Sequence, residues 1–194
     1  MVDAKFNKAI ALIDQKNSED PNTVVFKGKT FPKELLYSHR MTTMLIDIEA
    51  NASAELQIAI RAQHICRWAI ERKSYPMDKI GYFQWRNDLK KMHSKLTGEI
   101  LKDVGYTQEF IDRTSFLINK KLIKKDSESQ TLEDVACLVF LKYYLEDFIE
   151  KHTDEKIIDI LQKTWGKMSA KGQAIALKLN LSPRSLNLVK KALE

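Results

Sequence analysis

Three observations predict an all-α fold with one small β-hairpin. Apolar residues recur at three- and four-residue intervals along most of the chain. Ser and Thr caps and turn-rich stretches punctuate those patterns. Only one segment, near residues 23–31, has β-branched and aromatic residues around a glycine, the composition of a hairpin.

The elements follow in order. Phe6, Ala9, Ile10 and Ile13 have helical spacing, which predicts a first amphipathic helix over residues 3–17. Asn17-Ser18-Glu19-Asp20-Pro21-Asn22 is turn-rich and stops it. The hairpin comes next. Pro32 suits the first turn of a helix that runs to about Glu49, with Leu35, His39, Thr42 and Ile46 as its apolar face. Ser53 is the cap of the following helix. There Leu56, Ile60, His64 and Trp68 recur at four-residue intervals, so the helix is predicted to continue to about Arg72 with His64 facing inward.

A loop, Lys73-Ser74-Tyr75-Pro76-Met77-Asp78, leads to a long helical stretch over 79–104, with Gly81 and Gly98 as points where it can break. Leu89, His93, Leu96 and Ile100 share one of its faces, and Gly105 is a plausible C-terminal cap. Thr107 starts another helix. The polar segment 120–130 is an exposed connection. Thr131 is read as the cap of a helix over 132–151, lined by Asp134, Cys137, Leu138 and Leu141. A helix at 154–169, a segment 174–179 and a last helix opened by Ser182-Pro183 complete the chain.

At 194 residues with 44% hydrophobic content, the chain reads as a single domain with one core. Its centre is predicted over 33–151, with a helix and hairpin in 1–32 before it and helices in 152–194 after it. No apolar run reaches the ~18 residues of a membrane span. The segment Met1-Val2-Asp3-Ala4-Lys5-Phe6 lacks a signal-peptide core. With two isolated cysteines, Cys66 and Cys137, a reducing cytoplasmic setting is expected. The net charge of +6 is compatible with an anionic partner, but acidic residues are mixed throughout, so nucleic acid is disfavoured.

Four polar residues are predicted on apolar faces of four helices: His39, His64, His93 and Asp134. Each alone reads as a hydrogen-bonded core residue, and Asp134 as part of a capping box with Thr131. Converged, they supply three imidazole nitrogens and one oxygen. That set suits one divalent transition metal (Mn, Fe, Co, Ni or Zn). His152 ends its helix and is expected to face solvent. The absence of Glu-x-x-His, His-Glu-x-x-His and Gly-rich phosphate loops argues against di-iron bundles, zinc peptidases and P-loop enzymes.

The order of His39, Ala62-Gln63-His64, His93 before Gly98-Glu99-Ile100-Leu101, and Glu133-Asp134-Val135-Ala136 resembles the HD-domain superfamily of helical, metal-dependent phosphohydrolases, over roughly 39–148. Over nearly its whole length the chain is also similar to the bacterial and fungal domain-of-unknown-function 4202 family. Tyr37-Ser38-His39-Arg40, residues 63–68, Tyr75-Pro76-Met77-Asp78, Trp85-Arg86-Asn87-Asp88-Leu89 and residues 131–138 carry that likeness. The HD dipeptide itself is His64-Ile65 here, and Ile65 coordinates nothing. Either His93 replaces the missing ligand in a mononuclear site, or the site is degenerate and another side chain such as Arg67 fills it.

The resemblance implies hydrolysis of a small phosphorylated or nucleotide-like substrate. Metal-bound water would attack phosphorus, and Arg67 and Arg72 would offset the developing charge. Asp134 is then catalytic as well as a ligand, and Asp88 or Glu133 orients a ligand histidine. Arg40, Arg67, Arg72, Arg86, Lys90 and Tyr82 are the candidate substrate-binding residues. The rival expectation is a non-catalytic binding or regulatory module on the same scaffold. A third is an RNA-associated protein, from the charge of 120–125.

Overall fold

In the computed structural model, which describes residues 4–194, the fold is all-α with a single two-stranded hairpin. The chain divides into two compact units, one ending at Lys121 and the other Leu122–Glu194. The boundary falls inside the polar connection read from the sequence. Among the described residues no helix is long and apolar enough to cross a membrane.

The first unit opens with α1 (Ala4–Ser18) and the hairpin β1 (Thr23–Phe26)–β2 (Lys29–Pro32). The strands are antiparallel, pairing Phe26 with Lys29 and Thr23 with Pro32. Lys27 and Gly28 both have positive φ, 50° and 73°. Such a two-residue turn matches the twist of the strands, and a glycine accepts that backbone at no steric cost.

Helix α2 (Lys33–Ile48) follows without a side-chain cap from Pro32. The buried Asp20 supplies one from a distance, its Oδ2 accepting from the Glu34 backbone N–H at 2.9 Å. The buried face of α2 holds Glu34, Leu36, Ser38, Met41, Met44 and Leu45. This corrects the face read from the sequence: Ile46 and His39 are exposed. Both candidate stripes contain apolar and polar residues, and Met41, Met44 and Leu45 together bury more apolar surface than Leu35 and Ile46 would.

Helix α3 (Ala54–Arg61) is capped by Ser53 as predicted, its Oγ accepting from Leu56 N–H. It is much shorter than predicted, ending at Arg61 rather than about Arg72. Residues 62–66 are tight turns, and Cys66 takes a left-handed φ of 52°. The buried Asn17 holds that turn, its Oδ1 accepting from Cys66 N–H at 3.1 Å. Two single turns of 3-10 helix follow, Arg67–Ala69 and Arg72–Ser74.

Helix α4 (Lys79–Val104) runs unbroken through both glycines, capped by Asp78 and closed by Gly105 at φ 89°. Gly81 is required by space: a Cβ there would strike the backbone carbonyl of Pro76. Helix α5 (Gln108–Ile118), capped by Thr107, packs on α3 and α4.

In the second unit, α6 (Ser127–Tyr143) starts five residues earlier than predicted. Asp126 is its cap, not Thr131, whose hydroxyl instead donates to the Ser127 carbonyl. The predicted 132–151 helix is interrupted at Tyr144, giving a separate α7 (Leu145–Ile149). Helices α8 (Asp154–Lys167), α9 (Ala170–Ala176) and α10 (Pro183–Leu193) complete it. Ser182 caps α10 with Pro183 at its first position, as the sequence indicates.

Candidate functional site: a basic pocket around two imidazoles

Glu34 lies in the first turn of α2, where the Asp20 cap fixes the backbone. One turn on, Tyr37 stacks on the His64 ring at 4.0 Å and 10°. His64 Nδ1 sits 3.1 Å from Glu34 Oε2. With the proton on Nδ1, the ring donates to the carboxylate and Nε2 is left as an acceptor. Arg67 Nη1 meets that nitrogen at 3.4 Å. The tight turns at 62–66 make this possible. They bring His64 and Arg67 to one side, whereas Ile65 goes wholly into the core.

Arg67 is held by its own neighbours. Its guanidinium lies over the Trp85 ring at 4.6 Å, and Trp85 Nε1 donates to the Ile70 carbonyl at 2.8 Å. His93, on α4, is buried, and its ring centroid is 6.1 Å from that of His64. Its ring hydrogen-bonds the Gln63 backbone, while Nε2 is buried and has no partner. Tyr37, Gln63, His64, Arg67, Arg86, Leu89, Lys90, His93 and Lys120 surround an opening of about 40 Å³. An opening of that size takes in a small terminal group and not a whole nucleotide.

The electrostatics are one-sided. Four lining side chains are cationic and, among the described lining residues, none is acidic. Burial, reinforced by Arg67, holds His64 well below the usual imidazole range. Burial does the same to His93, with His64 and Arg67 adding to it. Both imidazoles are therefore neutral at pH 7 and present lone pairs. Burial raises the Glu34 carboxyl, with Arg67 opposing.

Of the residues read from the sequence, His64, His93, Arg67, Arg86 and Lys90 come together here. The others do not. His39 is half-exposed beside Asp14, its Nε2 3.7 Å from Oδ2. Asp14 in turn takes two 2.6 Å bonds from Arg61, so this is an ionic cluster tying α1 to α3. Asp134 belongs to the second unit, where both its oxygens are occupied. Gln130 Nε2 and the Ser169 backbone N–H donate to Oδ1, and the Ser169 hydroxyl donates to Oδ2. Glu133, also in the second unit, is buried on α6. Asp88 accepts from Tyr75 Oη and Lys91 Nζ. The carboxylate that meets a histidine of this pocket is Glu34, while Asp88 is held by Tyr75 and Lys91.

Arg72 donates to the Tyr75 and Asp78 carbonyls, binding its loop, and Arg40 lies over Phe26 of the hairpin. Tyr82 is exposed and accepts from Arg86. His152 is exposed against Phe148, as expected at the end of its segment.

The predicted metal set does not fit these surroundings. Among the described residues no three His, Cys, Asp or Glu side chains are grouped to hold an ion. The two imidazoles that do meet are ringed by Arg67, Arg86, Lys90 and Lys120, which favour an anion and repel a cation. Glu34, Gln63 and Lys120 were missed from the sequence. A Glu and a Tyr three residues apart at a helix start were the available signal for Glu34; Lys120 was read only as part of the basic run 120–125.

No curated protein and no solved structure matches the chain. The family model described as Domain of unknown function (DUF4202) matches residues 7–189, nearly the whole length. The chain therefore belongs to the domain-of-unknown-function 4202 family.

Proposed function

We propose that the first unit binds the terminal phosphoryl group of a small phosphorylated molecule and hydrolyses it. The observation that supports this most directly is the Glu34–His64 pair, whose second imidazole nitrogen meets Arg67 in a pocket lined by four cations. Arginine N–H groups match phosphate oxygens in pairs, and lysines add charge without fixed geometry. A preset cationic pocket stabilises charge that develops on a phosphoryl group more than water does.

The reading keeps the phosphate chemistry of the HD-domain likeness. It does not use the metal, because His39 and Asp134 are engaged elsewhere and the remaining surroundings are cationic. His64 and Glu34 take the central role, with Arg67, Arg86, Lys90 and Lys120 as phosphate-binding groups and Tyr37 and Trp85 as positioning residues.

Inorganic phosphate and pyrophosphate should raise the melting temperature, and Arg67→Ala should remove the shift. A panel of phosphate esters and anhydrides should contain a compound that wild-type protein consumes and His64→Ala does not. If no phosphate compound stabilises the protein and none is consumed, the reading is wrong. A non-catalytic anion-binding module is the second reading, favoured by the Arg67 N–H that already occupies His64 Nε2. It predicts stabilisation by phosphate with no turnover by wild-type protein.

A further inference from the structure

We infer that Nε2 of His64 is the nucleophile of this pocket and accepts the terminal phosphoryl group of a phosphoanhydride, forming a phosphohistidine that water then cleaves. The inference deepens the hydrolase reading and rests on it.

Geometry selects the atom. Nδ1 is committed to Glu34, so only Nε2 has a lone pair directed toward the cations. Tyr37 stacked on one face limits tilting of the ring. An incoming phosphate takes over the Arg67 N–H and releases that lone pair beside phosphorus. Phosphorylation makes the ring cationic, but the phosphoryl oxygens it gains and the Glu34 carboxylate at Nδ1 offset that charge, whereas a proton taken as a general base brings no anion with it. The buried, unpartnered Nε2 of His93 is a second acceptor in the same pocket, suited to ordering the water of the second step.

The leaving group follows from the same inventory. An alkyl ester must receive a proton as its oxygen departs, and neither imidazole carries one to spare. The other polar lining groups include two guanidinium and two ammonium groups, which stabilise an anion better than they protonate it. A phosphoanhydride departs as an anion without help. The small opening agrees, since it takes in one terminal group and leaves the rest of the molecule outside.

The steps balance. The Nε2–P bond forms as the bond from phosphorus to the bridging oxygen breaks, and that oxygen leaves with the electron pair on a phosphate. The imidazole becomes positive, with its Nδ1–H on the Glu34 carboxylate. Water attacks phosphorus, the N–P pair returns to Nε2, and inorganic phosphate departs with the water oxygen and one proton. The other proton reaches the first phosphate through solvent.

The full-length protein is mixed with radiolabelled inorganic pyrophosphate and quenched in alkali. Label should appear on His64, survive alkali, be lost in acid, and be absent from His64→Ala. A short-lived intermediate escapes that trap, so stereochemistry is measured too, with a nucleoside triphosphate made chiral at its γ-phosphorus by sulfur and oxygen isotopes. Two displacements give retention. Inversion overturns the inference and leaves the hydrolase reading standing, as does hydrolysis confined to alkyl esters. If wild-type protein hydrolyses neither class, both fall together.

Discussion

Glu34 Oε2 and His64 Nδ1 lie 3.1 Å apart although thirty positions separate them in sequence. The contact fixes the tautomer of the ring and balances the positive charge that forms when Nε2 reacts. Glu34→Ala should therefore lower kcat by about 100-fold, the low end of what a positioned acid–base partner contributes. Binding of phosphate should change only a few-fold, because the cations remain. Steady-state kinetics separate the two: a rise in KM at unchanged kcat would show that Glu34 serves binding alone.

Arg67 tests the anion site in the opposite sense. Trp85 supports its guanidinium plane, and lysine has no plane to rest there. Arg67→Lys should weaken phosphate binding by roughly tenfold, or about 1.4 kcal/mol. Trp85→Leu should reproduce part of that loss without touching the ligand. Calorimetric titration with inorganic phosphate measures both, and unchanged affinity in Arg67→Lys would remove Arg67 from the site.

Two neutral imidazoles, the buried His93 and the partly buried His64, make stability depend on pH. Folding holds His64 and His93 well below their ordinary value of 6.5, so the unfolded chain binds protons that the folded one refuses. Their contribution is complete above pH 6.5 and is lost as pH falls below it toward the folded values. Glu34, raised from 4.5, acts with the opposite sign, because its protonation favours the folded state. Asp14, lowered from 3.8 by bonds from His39 and Arg61 against the cost of burial, adds a loss only at lower pH. Urea unfolding should show stability declining from about pH 6.5 downward, and His93→Gln should flatten that decline.

Much of the fold was legible because its signals are local. Ser53, Thr107 and Ser182 cap the helices they precede, Gly105 closes α4, and one glycine turn makes the hairpin. The site was only half legible. His64 was read as facing inward for the wrong reason: the Leu56–Ile60–His64–Trp68 spacing is not one helix, since α3 ends at Arg61. The turn that replaces it depends on Asn17, forty-nine positions away, which no periodicity could reveal. His39 was placed inward because α2 has two stripes of similar composition, and packing of Met41, Met44 and Leu45 chose the other.

Asp134 separates structure from chemistry most cleanly. It was read as a metal ligand, yet its oxygens hold the Ser169 backbone and hydroxyl at the start of α9 and the Gln130 amide. Ser169 in turn caps α9 through the Gly172 N–H. A Cβ on Gly172 would lie 2.7 Å from the Asp134 carboxyl carbon, so that approach needs glycine. Asp134→Ala leaves the part-buried Ser169 N–H without its acceptor and should cost about 1–3 kcal/mol, and Gly172→Ala about 1–3 kcal/mol by crowding the carboxylate. Neither should alter phosphate affinity at 25 °C, where both variants remain folded. Denaturant melts and phosphate titrations on the same preparations decide it: lost affinity in folded Asp134→Ala protein would return the carboxylate to the chemistry and the metal reading with it.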